Sequence, residues 1–346
     1  MLNADVRVDR RDFPVRVALQ VADGERVALF GPSGAGKTTV LEAIAGLVPL
    51  RAGRVEVAGR LLASSAAPVT TVPPWRRRVG LLRQDPGLFP HLTVRDNLLY
   101  ARSARKGELD SLAVALGIGG LLGEMPARLS GGQRHRVALG RLLLAHCDVL
   151  LLDEPFASLD AALRRALTAL VADLAADRAI PSVLVTHQLA DAQAFAGRLA
   201  VIDRGQVLHE GAPDQVVLRP ASRRVAELLG YLGFVPVAGK PAQDMAAGRH
   251  AADIVAGVHP DRVIVGTHPN RGLAVTATVA AARPSGAGWE ADVLVADAAV
   301  TCRLPGRPEG GTMPLTILDP PCFGPDGQAL QSPANGGWTW HDMHVQ

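Results

Sequence analysis

The sequence predicts an α/β fold: a domain with a mostly parallel sheet and a helical subdomain, followed by a small C-terminal β-barrel. Three observations carry this. Between the N-terminus and about Leu229, strand-like apolar runs alternate with helical periodicity. Among them a glycine-rich turn, Gly31-Pro-Ser-Gly-Ala-Gly36-Lys37-Thr38, joins the apolar run Val27-Ala-Leu-Phe30 to a helix-like stretch beginning at Thr39. From about Gly239 helical periodicity fades, Pro, Gly and Val rise, and short β-like runs follow one another.

The elements follow in order. Val6 and Val8, then Val15, Val17, Leu19 and Val21, alternate with polar residues and read as two antiparallel strands. The strand, turn and helix around Gly31–Thr38 run to about Val48. Gly53–Gly59 is a short strand between turn glycines, residues 64–78 a Pro- and Ser-rich loop, and Val79–Gln84 a strand ending at a polar residue. Helical spacing of Leu and Ala runs from Val94 to about Leu122 and again from Arg134 to Ala145, which defines a helical subdomain at about 90–145. Asp148-Val-Leu-Leu-Leu-Asp153 is apolar throughout until its closing acid, as a buried parallel strand is. Ala161–Ala179 is an amphipathic helix, and Ser182–Thr186 and Ala200–Asp203 are strands. Beyond the composition change, Ile254-Val, Arg262–Val265, Leu273–Val279, Trp289–Val295 and Ala299–Leu304 read as strands of the barrel, with a turn-rich tail from Gly324 to Gln346.

Bulk properties narrow the function classes. A formal charge of +3 over 346 residues gives no basic field for nucleic acid, and Arg76-Arg77-Arg78 reads as a solvated face or loop. Cys147, Cys302 and Cys322 stand far apart, which fits a reducing compartment and argues against a disulfide framework or a zinc site. No N-terminal apolar signal segment is expected, and no apolar run approaches the ~20 residues that span a bilayer. Work at a membrane would need a partner.

The glycine-rich turn matches G-x-x-x-x-G-K-[ST], the phosphate-binding P-loop, in its strand–loop–helix setting. Gly31, Ser33, Gly34 and Gly36 would turn backbone N–H groups toward phosphate oxygens, and the helix start at Lys37, Thr38 and Thr39 adds a favourable dipole. Lys37 would reach the β- and γ-phosphates, and the Thr38 hydroxyl would ligate Mg²⁺. Asp153 closes an apolar strand, where its carboxylate would hold the same Mg²⁺. Glu154, facing elsewhere, is the natural base to orient an attacking water. Leu129-Ser130-Gly131-Gly132-Gln133 precedes a helix, with Ser130 as its cap and Gly131 and Gly132 exposing N–H groups, a second anion-binding helix start. One nucleotide does not need two such cradles in one subunit. Two copies packed head to tail would use both.

The order of these motifs resembles the ATP-binding cassette (ABC) ATPases. The Leu-Ser-Gly-Gly-Gln sequence lies upstream of Val149-Leu-Leu-Leu-Asp153-Glu154-Pro155, the family's Walker B strand. Gln84 stands as in the family's Q-loop, Ser158-Leu-Asp160 is similar to its D-loop, and His187 to its switch histidine. The resemblance covers roughly residues 5–235 and implies an ATP- and Mg²⁺-dependent ATPase. In it Glu154, His187 and Lys37 act catalytically, Gln84 joins Thr38 and Asp153 around Mg²⁺, and Ser130, Gly131, Gly132 and Asp160 serve the nucleotide. The remaining histidines, His91 and His135 among them, read as structural. The family's adenine-stacking aromatic has no counterpart at Val6, Val8 or Arg10; Phe13 is the only aromatic nearby, so affinity leans on the phosphates.

Within the family, a single cassette without coiled coil or membrane span resembles the separate ATPase subunit of an importer. Arg76–Tyr100, ending Asn97-Leu-Leu-Tyr100, looks most like molybdate and tungstate importers, and Gly257-Val-His-Pro-Asp-Arg262 is similar to the entry of their C-terminal oxyanion-binding-like (TOBE/MOP) domain, an OB-like barrel. The resemblance implies a cassette at 1–235 and a TOBE-like domain at 236–346. It also implies a head-to-tail homodimer, permease subunits docking near Gln84–Tyr100 over Leu88 and Phe89, and, indirectly, an extracytoplasmic substrate-binding protein. The place of action would be the cytoplasmic face of the inner membrane. Sulfate, ferric iron, a sugar or a polyamine are alternative cargoes, and a regulatory ABC ATPase acting on nucleic acid is the alternative outside transport.

Overall fold

Alternating side chains make the first two strands. β1 (Leu2–Val8) and β2 (Val15–Val21) bury every second residue and pair antiparallel from Leu2↔Val21 to Val8↔Val15. The structure is a computed structural model describing residues 1–101, 104–157, 159–239, 254–268, 272–286, 288–308, 310–330 and 343–345. It divides into two compact units, Met1–Pro213 and Asp214–Gln346.

In the first unit β3 (Arg26–Phe30) is apolar on both faces and leads through the P-loop into α1 (Lys37–Ala45). An antiparallel arm follows: β4 (Ala52–Val57), β5 (Arg60–Ser64) and β6 (Thr70–Thr71), with β4 pairing back onto β1. Then come β7 (Val79–Leu82), the helices α2 (Val94–Leu98), α3 (Leu109–Ala115) and α4 (Gly131–Leu144), and the fully buried β8 (Val149–Asp153). α5 (Ala161–Asp177), a second fully buried strand β9 (Ser182–Thr186), α6 (Leu189–Phe195), β10 (Arg198–Asp203) and β11 (Gln206–Gly211) complete it. These strands form one sheet in the order β6-β5-β4-β1-β2-β11-β10-β3-β9-β8-β7.

The sheet is mixed rather than mostly parallel. Pairings β10–β3, β3–β9, β9–β8, β8–β7 and β11–β2 are parallel, whereas β1–β2, β1–β4, β4–β5, β5–β6 and β10–β11 are antiparallel. The hydrophobic pattern agrees: β8 and β9 are buried throughout, and β1 and β2 alternate.

Two local expectations are corrected. The helical run from Val94 to Leu122 is broken: α2 stops at Leu98, α3 covers only Leu109–Ala115, and single 3-10 turns fill Lys106–Glu108 and Gly119–Leu121. Gly117, at φ +62, ends α3 in a left-handed conformation open to glycine at no steric cost. The loop at 64–78 contains β6 and a 3-10 turn, Pro74–Arg76, and Arg77 is buried rather than solvated. Its Nη1 donates to the carbonyls of Ala43 (3.2 Å) and Ile44 (2.8 Å), and its Nε to Val72 (2.7 Å). A cation thus closes the negative end of α1.

In the second unit α7 (Pro213–Leu218) and α8 (Arg223–Leu228) precede β12 (Phe234–Gly239), β13 (Val255–Gly257), β14 (Val263–Val265), β15 (Gly272–Ser285), β16 (Gly288–Val295), β17 (Ala298–Leu304), β18 (Thr312–Leu318), β19 (Cys322–Phe323) and β20 (Met343–Val345). They form a five-stranded sheet, β14-β18-β15-β16-β17, and a four-stranded one, β19-β13-β12-β20. Val237, Ala256, Leu273, Val293, Leu304 and Ile317 share one apolar core that draws on both sheets. Of the tail expected to be turn-rich, residues 331–342 and 346 lie outside the described residues.

Candidate nucleotide site

Four adjacent strands of the first unit, β3, β9, β8 and β7, end at the same edge, and each delivers part of the site. β3 delivers the P-loop. Gly36 sits at φ +101, and a Cβ there would lie 2.8 Å from Val15 Cγ2, so only glycine fits between the loop and β2. Lys37 opens α1, and its Nζ donates to the carbonyls of Gly31 and Pro32, both at 2.8 Å. The ammonium is buried, which lowers its pKa, while the Glu154 and Asp153 charges act the other way.

β8 delivers the acids. Asp153, buried, accepts a hydrogen bond from Thr38 Oγ1 at 2.9 Å. Burial raises its pKa; Thr38 opposes the shift, Glu154 adds to it, Lys37 opposes it and Glu42 adds to it. Glu154 follows at φ +49, its N–H donating to the Val185 carbonyl at 3.0 Å. That left-handed residue turns the chain, so neighbouring carboxylates face apart. Glu154 Oε1 lies 3.0 Å from Nδ1 of His187, the residue after β9. Gln84 follows β7 and is exposed.

These groups surround one cavity of about 630 Å³, lined among others by Ser33, Gly34, Gly36, Lys37, Thr38, Thr39, Gln84 and Glu154. Asp153 stands behind Thr38, and His187 behind Glu154. Phe13 lines the cavity too, with Arg10 and Arg11 of the β1–β2 turn. The β1–β2 hairpin folds Phe13 back over Gly36, whose added Cβ would meet the ring at 3.8 Å.

Other expected residues lie elsewhere. Ser130, Gly131 and Gly132 are not among those lining this cavity. They open α4, where Gln133 N donates to Ser130 Oγ (3.3 Å) and Ser130 N to Gln133 Oε1 (2.7 Å). That capping box starts the helix at Gly131, ahead of the expected Arg134. Asp160 caps α5, accepting from Leu163 N (3.0 Å) and Ala162 N (3.1 Å), and the Leu163 bond leads the causes that lower its pKa. Ser158 lies outside the described residues. Sequence reasoning missed Arg164: it donates to the carbonyls of Phe156 (3.2 Å) and Leu159 (2.8 Å) and to Gln188, bracing the segment after Glu154. An i, i+4 step from the Asp160 cap was the only signal for it.

A hydroxyl, a carboxylate and an amide are hard oxygen donors. Mg²⁺ takes few such protein ligands and completes its shell with phosphate and water, so Thr38, Asp153 and Gln84 fit it. Among the described residues no group of three or more His, Cys, Asp or Glu side chains could hold a metal ion, and no helix is long and apolar enough to cross a membrane.

Comparison with known proteins agrees with this geometry. Residues 15–157 match the ABC transporter family model. A molybdenum import ATP-binding protein of Mesorhizobium japonicum is 42% identical over 222 residues, 62% of this chain and 60% of the relative. A ferric-ion import ATP-binding protein of the same organism is 40% identical over 64% of this chain and 62% of its own. The chain thus spans about three-fifths of the length of these two relatives. Among solved structures, a dimeric post-hydrolysis state of the ATP-binding cassette MJ0796 bound to ADP and Pi superposes with a TM-score of 0.53. It is 26% identical and covers 62% of this chain and 99% of that one. The thiamine import ATP-binding protein of Salmonella paratyphi A aligns over 63% of this chain and 92% of its own length at 39% identity, and with it the chain belongs to the ABC transporter ATP-binding family.

Proposed function

We propose that this chain is the ATP-hydrolysing subunit of an ABC importer, with a cassette at 1–235 and a TOBE-like domain at 236–346. The carrying observation is the convergence of Lys37, the Thr38–Asp153 pair, Gln84 and the Glu154–His187 pair on one cavity. P-loop N–H groups and the α1 dipole hold the phosphates of ATP. Lys37 gives up its two carbonyls for phosphate oxygens, a stronger, charge-assisted partner. Glu154, held by His187, accepts a hydrogen bond from the attacking water and sets its line toward the γ-phosphorus. Thr38, Asp153 and Gln84 would hold Mg²⁺, which would supply neutralisation of phosphate charge.

The exposed helix start at Ser130–Gly131 lies outside its own cavity, which supports a head-to-tail homodimer in which it completes the partner's site. Phe89, half-buried and stacked on exposed Tyr100 at 4.0 Å, supports a permease contact near Gln84–Tyr100, at the cytoplasmic membrane face. For cargo we favour molybdate or tungstate. The Asn97–Tyr100 ending and a molybdenum-importing relative support it, and two antiparallel sheets over one core suit an OB-like oxyanion barrel. Relatives named for ferric ion, thiamine and sulfate import keep those cargoes as alternatives.

The test is Glu154→Gln with ATP. Hydrolysis falls and a stable dimer forms at saturating nucleotide; a variant that hydrolyses normally, or stays monomeric, defeats the proposal. Calorimetric titration with molybdate, tungstate and sulfate tests the cargo.

A further inference from the structure

The loop that follows Gln84 meets α4, and a side chain of that helix grips it between Pro86 and Phe89. Arg141 Nη2 donates to the carbonyls of Pro86 (3.1 Å) and Gly87 (3.0 Å), and its guanidinium carbon sits 5.2 Å from the Phe89 ring centre. Arg141 thus fastens the middle of the loop to the body of α4.

Arg141 is half-buried and stays charged, yet carbonyls and an aromatic face are its partners, and its Nη1 is buried with no hydrogen bond. A guanidinium so placed resists sliding, because leaving the carbonyls would strand it further. The far end of the loop is held as well. Asn97 of α2, fully buried, accepts from Phe89 N (2.9 Å) and donates to the carbonyls of Phe89 (3.1 Å), Leu92 (3.0 Å) and Thr93 (3.1 Å).

Resting on the proposed function, we infer that Arg141 is a positioning residue that makes the Gln84 loop and the Ser130–Gly132 helix start one mechanical unit. Movement of Gln84 toward nucleotide in its own cavity then carries the helix start that serves the partner copy. The Arg141 side chain does not line the nucleotide cavity; it acts through the loop and α4.

The experiment compares Arg141→Ala and Arg141→Lys in the full chain. MgATP turnover and amide hydrogen exchange are both followed. Arg141→Ala lowers kcat by about tenfold to a hundredfold, the scale on which ångström misplacement acts, while KM for ATP moves by less than about twofold. Its Hill coefficient for ATP falls toward one. Arg141→Lys, which keeps charge without the fork, falls nearly as far. In Arg141→Ala, amides of 84–89 and 130–133 exchange faster together. Unchanged kcat and Hill coefficient in folded variants, or exchange that rises in only one of the two segments, overturns the inference. A wild-type chain that neither hydrolyses ATP nor dimerises defeats the proposed function instead, and the paired exchange still decides the fastening.

Discussion

Arg77 should be worth more to the cassette than any exposed arginine. Two of its bonds, to Ala43 and Ile44, are buried at the end of α1, and the residue is 2% exposed. Hydrogen bonds to a charged group contribute about 1.5–2 kcal/mol each at the lower end of their range. Water entering the vacated space returns about 1 kcal/mol by rehydrating the carbonyls. Arg77→Ala therefore destabilises by about 2–3 kcal/mol, or about 4–12 °C in the melting of a domain this size. Gly46 supplies an independent route to the same contact. A Cβ there would fall 2.4 Å from the Arg77 guanidinium, at a φ of +83, so Gly46→Ala expels the side chain and adds backbone strain of about 1–2 kcal/mol. The double variant should then be less damaged than the sum of the singles, by about 1–2 kcal/mol. Scanning calorimetry of the four proteins reads both quantities. A loss under about 2 °C for Arg77→Ala, or strict additivity with Gly46→Ala, refutes the assignment of the guanidinium as the cap of α1.

Other outcomes follow from the same geometry. Lys37→Ala weakens MgATP binding by about tenfold to a hundredfold in equilibrium titration, the value of a charge-assisted bond. Burial pushes the thiols of Cys302 and Cys322 up to about 11 and about 12; in a Cys147→Ser variant, a disulfide reagent should find no reactive thiol until denaturant is added. Burial also pushes the Tyr231 phenol up to about 12, where it donates to the Val217 carbonyl at 2.9 Å. The folded state then holds this proton more tightly than the unfolded one, so stability falls as pH rises from about 10 to about 12. Tyr231→Phe should flatten that limb in denaturant titrations at stepped pH.

What could be read from the chain was what is local. β3, the P-loop and α1 are consecutive, and each carries its own signal, so Lys37 and Thr38 were legible. Asp153 was legible because an apolar run that ends in acid has few other meanings in such a protein. Tertiary context supplied the rest. Arg77 stands in an arginine triplet that looks solvated, and nothing in sequence says that α1 ends beside it. The helical pattern of 94–122 was real, but Leu and Ala spacing continues across Gly117 while the backbone does not. Arg141 carries no signal of its own in the sequence, and its bond to Pro86 depends on a loop 55 residues earlier meeting α4. Phe13 required the hairpin to close before its nearness to Gly36 could be seen.

The arginines that hold the cassette together share a habit with consequences for salt. Arg26, Arg77, Arg134, Arg136, Arg141 and Arg164 donate to backbone carbonyls. A carbonyl carries no net charge for counterions to screen, and a charge-reversal scan of surface acids leaves it untouched. These contacts should ride through changes of ionic strength almost unmoved, while the grip of Lys37 on phosphate, a contact between full charges, loosens as salt rises. Ionic strength would thus separate the protein's architecture from its ligand.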